Sequence, residues 1–99
     1  MKIVEKYVEQ MHEEVEGAMD YAERFVEQKA MGRTARASKF REMANDELNH
    51  AHNIRDMATE DIAGLNSMGA LSVEDDEKWS AALKKCIEKI ALIKQILSL

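Results

Sequence analysis

Apolar residues recur along this chain at intervals of three and four, the spacing of a helix with one buried stripe. From about Lys2 to Met31 the stripe is Val4, Tyr7, Val8, Met11, Val15, Ala18, Ala22, Phe25 and Val26. Gly32 follows the last periodic position, where a helix C-cap glycine belongs. A second stripe starts near Thr34 or Ala35 and runs to about Ala63 through Phe40, Met43, Ala44, Leu48, Ala51, Ile54, Met57, Ala58 and Ile62, with Gly64 expected to end it. Each helix would be roughly 45 Å long. Only a few residues connect them, so the pattern predicts an antiparallel hairpin over residues 2–64.

The looser stretch Asn66-Ser67-Met68-Gly69-Ala70-Leu71 then sets off a third helix, residues 73–98. Ser72 is a good N-cap, and Glu74, Asp75, Asp76 and Glu77 complement the positive end of the helix dipole. Trp79, Leu83, Cys86, Ile87, Ile90, Ile93 and Leu97 form its apolar stripe, with Trp79 as a packing anchor, and Lys84, Lys85, Lys89 and Lys94 lie toward its other end. No stretch alternates with a period of two, so the expectation is an all-α fold in a single domain, residues 1–99.

Composition narrows the function classes. The 99 residues include no proline and carry a formal charge of −5, which argues against general affinity for nucleic acid. No apolar run approaches the ~20 residues that span a bilayer. Charge begins at Lys2, so no secretory signal is expected, and the single Cys86 can make no internal disulfide. The expectation is a cytoplasmic protein in which Cys86 acts as a small buried hydrophobe. A chain this short gains buried surface by oligomerising.

The chemistry lies in three polar residues on apolar faces. Glu14 sits three residues after Met11 and four before Ala18, while Glu47 and His50 fall four and seven after Met43. Ionised carboxylates on a core-facing stripe are costly unless paired or bound to metal. Two carboxylates and an imidazole are donors for Fe, Mn or Zn. With a turn near residue 33, Glu14 is 19 residues back, and Glu47 and His50 are 14 and 17 forward. The axial mismatch is then roughly 3–8 Å, within reach of glutamate side chains.

Glu14-x6-Tyr21 on one helix and Glu47-x-x-His50 on the next resemble the ferritin-like superfamily, which includes rubrerythrins, bacterioferritins and encapsulated ferritins. There, a Glu and a Glu-x-x-His occur twice in a four-helix bundle and hold two irons. This chain holds the pattern once, over about residues 1–64, so the resemblance implies a half-ferritin whose bundle is completed by homodimerisation. It further implies Glu14 as terminal ligand, Glu47 as bridging ligand, His50 as nitrogen ligand, and Tyr21 as a hydrogen-bond donor to a ligating carboxylate. Two irons per dimer and Fe(II) oxidation by dioxygen or peroxide would follow. The chain departs from the family in lacking a CxxC pair, an evident haem ligand beyond its methionines, a recognisable encapsulin-targeting tail at Ile96-Leu97-Ser98-Leu99, and the length of a cage-forming subunit.

Rival readings stand beside this one. Glu14, Glu47 and His50 can form a metal-free polar network at a dimer seam, leaving a helical oligomerisation or interaction module. A small manganese or zinc protein with hydrolytic or regulatory activity is a weaker option. His12 reads as a partly buried structural histidine and His52 as a solvent-exposed one. Asp61 is either an ion-entry group or a solvated helix end. Met11, Met43 and Met57 read as adaptable core filler, and Tyr7 as core-facing. Gly17, mid-helix near Glu14, reflects close approach of a partner helix, space beside the metals, or a tolerated accident.

Overall fold

The computed structural model describes Met1–Leu99 as three helices without strands: α1 (Lys2–Ala30), α2 (Thr34–Ser67) and α3 (Val73–Leu97). Gly32 ends α1 as expected. Its φ is +73°, its N–H donates to the Lys29 carbonyl at 3.0 Å, and Arg33 N–H reaches back to Gln28 at 2.9 Å. These are the paired bonds of a Schellman motif.

The end of α2 differs from the sequence expectation. The helix runs past Ala63 and through Gly64 to Ser67. The residue that terminates it is Gly69, at φ +68°, with Gly69 N–H on Asn66 at 3.0 Å and Ala70 N–H on Leu65 at 2.9 Å. Gly64 is an ordinary helical position with open space where a Cβ would be. Ser72 caps α3 as expected, its hydroxyl accepting from Asp75 N–H at 3.0 Å.

Cross-helix pairs give the directions. Tyr21 meets Phe40, Glu14 meets His50, and Tyr7 donates to Asp61. One number falls as the other rises, so α1 and α2 are antiparallel. Along α3 the numbers climb together: Met1 with Asp75, Glu5 with Lys78, Glu16 with Lys89, and Lys29 with the Leu99 carbonyl. Thus α3 runs parallel to α1, leans mainly on it and touches α2 lightly. The result is a rod of 55 × 18 × 17 Å. None of its helices is long and apolar enough to cross a membrane.

Because α3 hardly reaches α2, α1 supplies most of what buries α2. The α2 positions that disappear include Ala37, Ala44, Ala51 and Ala58, spaced by seven, with Leu48 and Ile62. Opposite them α1 buries Ala18 and Ala22 among Val4, Met11, Val15 and Phe25. Small residues along both sides of a seam let helix axes approach closely, toward the short end of the usual 8–10 Å. Trp79, Cys86, Ile90, Ile93 and Leu97 bury the α3 side, which accords with the reading of Trp79 as an anchor and Cys86 as a buried hydrophobe.

Several apolar positions face out instead. Val26, Met43, Met57 and Ile87 are exposed, so of the three methionines read as core filler only Met11 fills the core of the single chain. The two outlying histidines exchange roles. His12 is exposed, whereas His52 is half-buried, and burial, with Arg55 and Lys94 nearby, holds its imidazole below the ordinary value. Lys94 of α3 is near enough to act on His52, so this part of α2 is not left to solvent alone.

Two glycine substitutions test these helix ends by thermal unfolding. Gly64→Ala stabilises by about 0.5–1 kcal/mol, since alanine is the better helix former and meets no obstacle. Gly69→Ala destabilises by about 1 kcal/mol, because a Cβ is strained at positive φ.

Candidate metal centre

Glu14 lies on α1 and Glu47 and His50 lie one turn apart on α2, all on the side of the hairpin that α3 leaves open. They form the one group of three or more acidic, histidine or cysteine side chains able to gather on a single ion, with donor atoms within 4.8 Å of one another. His50 Nδ1 is 3.4 Å from Glu14 Oε2 and 3.9 Å from Glu47 Oε1. The convergence expected from residue spacing is therefore present within one chain. No polar or charged residue is fully buried in the chain. Side-chain exposures are 28% for Glu14, 27% for Glu47 and 56% for His50, so the group occupies an open face and not a closed core.

Gly17 explains itself here. A Cβ at that position would stand 3.1 Å from Glu47 Oε2, closer than ordinary van der Waals contact. Within the chain, the mid-helix glycine clears a notch on α1 into which the Glu47 carboxylate folds.

Electrostatics mark the group as well. The Glu47 carboxyl is raised above its ordinary value by a hydrogen bond with Glu14, then by burial and by repulsion from the Glu14 charge; His50 acts in the opposite direction. Two carboxylates can share a hydrogen bond only when one holds a proton. The pair thus behaves as an acidic site short of positive charge.

Around the triad, the Tyr21 ring stacks on Phe40 at 6.3 Å between centroids, and Arg24 lies over Phe40 at 5.6 Å. Tyr21 is thus engaged with the aromatic wall toward the turn rather than with either carboxylate of its own chain. Toward the other end, Tyr7 donates to Asp61. This raises the Tyr7 hydroxyl above its ordinary value, through the hydrogen bond first. The Tyr7–Asp61 pair was missed in the sequence, where the only signal was that both residues continue the Glu14 and Glu47 lines. Exposed Met43 and Met57 and half-buried Ile54 complete the open face.

The raised Glu47 carboxyl has a consequence for the metal-free chain. The folded state holds that proton more tightly than the unfolded state, whose value is near 4.5. The favourable contribution is complete below that pH and is lost as pH rises through the higher folded value. Glu47→Gln in metal-free protein therefore raises the melting temperature by a few degrees at neutral pH, and the gain disappears at acidic pH. Calorimetry of both proteins across the acid range checks this.

Comparison with known protein families, characterised proteins and solved structures finds no match to the chain.

Proposed function

We propose that two copies of this chain bind a pair of irons between their open faces and oxidise Fe(II) there. The observation that carries this reading is the approach of two carboxylates and an imidazole within 4.8 Å on a face with no cover of its own. The donor chemistry fits iron: anionic oxygen ligands favour the ferric over the ferrous charge, and imidazole suits the same metal. The resemblance of Glu14-x6-Tyr21 and Glu47-x-x-His50 to the ferritin-like superfamily supports the same assignment. Pairing two hairpins completes a four-helix bundle with each donor present twice.

In this reading Glu14 and Glu47 would supply carboxylate oxygens to the cations and His50 a nitrogen, the resemblance implying Glu14 as the terminal and Glu47 as the bridging ligand. Four carboxylates from two chains balance the charge of two divalent ions, removing the repulsion that burdens the pair when metal is absent. The notch at Gly17 lets the Glu47 carboxylate shift between binding modes. Covering the open face with a second copy excludes water and strengthens each of these interactions. It also gives the Tyr21 hydroxyl access to a ligating carboxylate. Fe(II) is the substrate: two ions supply two electrons, enough with two protons to reduce dioxygen to hydrogen peroxide, or peroxide to water. A reducing cytoplasmic setting, which the unpaired thiol of Cys86 also suits, keeps such a substrate available.

The exposure of Met43 and Met57 favours a second reading, in which the open face is simply a dimerisation surface and the triad a metal-free polar network. Manganese or zinc in the same donors is a further variant.

The readings separate cleanly. Chelator-treated protein given Fe(II) without oxygen binds about one iron per chain, two per dimer, and on admission of air develops Fe(III) absorbance. Glu47→Ala abolishes both. Gly17→Ala keeps the fold and weakens Fe(II) binding roughly tenfold, as loss of a ligand-orienting feature does. Absence of Fe(II) binding by the intact dimer overturns the proposal, and preferential retention of zinc or manganese over iron redirects it. For the metal-free reading, the double substitution of Glu14→Leu and Glu47→Leu raises the melting temperature of the dimer with no change when metal is added, since a costly polar pair gives way to apolar packing.

A further inference from the structure

On the other side of α1 the helices do not close completely. Where α3 presents Ala81, Ala82 and Cys86 toward Val8, Met11 and Val15 of α1, small side chains leave a groove of about 530 Å³. That is within the size range of small-molecule sites. The groove extends from Lys78 to Lys89, about 16 Å along the helix. Its floor is aliphatic, thioether and thiol, and it contains no aromatic ring on which a planar ligand could stack.

Its rim is basic. Lys78, Lys85 and Lys89 line it from α3 and His12 from α1, with no acid among the lining residues. Two of these three lysines are balanced by acids just outside the groove, which leaves Lys85 as its unpaired lysine. At the ends of the groove Lys78 lies 3.6 Å from Glu5, and Lys89 pairs with Glu16. Between them, Lys85 is exposed and has no carboxylate partner in the chain. An ammonium is a compact point charge, suited to a small anionic head. An apolar trough beside it suits an unbranched hydrocarbon tail.

We propose that this groove is a binding site for a fatty-acid anion. Its carboxylate meets Lys85, and its chain lies against the partly exposed Val8, Ala81 and Ala82, above the buried Met11, Val15 and Cys86. The site is separate from the Glu14, Glu47 and His50 group, which faces the opposite side of the hairpin, and it does not depend on metal.

The test is titration of the metal-free full chain with dodecanoate below its micelle concentration, followed by calorimetry and by the rate at which Cys86 is alkylated. One dodecanoate per chain binds saturably and slows alkylation of Cys86, whose thiol lies in the groove floor. Lys85→Glu weakens binding by about tenfold or more while the circular dichroism stays unchanged. Ala82→Leu, which fills the trough, weakens it as well, and dodecyltrimethylammonium does not compete. Absence of saturable binding, equal affinity for the cationic amphiphile, or full affinity in Lys85→Glu overturns the assignment. So does protection of Cys86 that rises with protein concentration and not with dodecanoate, which identifies a second copy of the chain as the occupant.

Discussion

The close apposition of α1 and α2 is the constraint on which the rest of the molecule depends. Ala37, Ala44, Ala51 and Ala58 recur every seven residues along α2 and vanish against α1, so the two backbones lie near one another over most of their length. Larger residues in that seam would separate Glu14 from Glu47 and His50. The seam also leaves little apolar volume inside the hairpin. Bulkier residues are instead contributed by α3, as Trp79, Ile90 and Ile93 are, or lie on the open face, as Met43 and Met57 do.

A narrow seam forces like charges together. Glu14 and Glu47 repel, which raises the Glu47 carboxyl above its ordinary value, and His50 Nδ1, within 4 Å of both, acts the other way. A partly covered face built for the stability of the single chain alone would not set two carboxylates against each other. The glycine at position 17 adds a second local cost, since glycine weakens a helix interior. Two unfavourable choices on facing turns, fitted to each other through the Glu47 carboxylate, distinguish this patch from an ordinary solvated acidic surface.

Much of this was readable from residue spacing because helices translate sequence into position with few free parameters. The period of 3.6 located three helices, Gly32 and Ser72 marked two of their ends, and a hairpin pivot near residue 33 brought Glu14 level with Glu47 and His50. What could not be read is what local rules leave open. Gly64 and Gly69 are both able to end a helix, and only the chain's path shows that Gly69 adopts positive φ. His12 borders an apolar stripe of α1, and His52 falls with Asn45, Asn49 and Asp56 on the polar face of α2. Which of them is covered depends on where α3 comes to rest, a tertiary choice that no single helix encodes. The use of Gly17 was hidden for a related reason, since it requires knowing where a side chain on another helix folds.

The parallel run of α3 along α1 has a consequence for shape in any larger assembly. The third helix sits as a buttress on one flank and leaves the other flank of the hairpin clear from end to end. Two chains joined through their clear flanks carry both buttresses on the outside, at opposite edges of an elongated slab. Leu92 of α3, solvent-facing in the single chain and turned away from the buried side of its helix, then stays on the outside of such a slab and remains free for contacts with further copies.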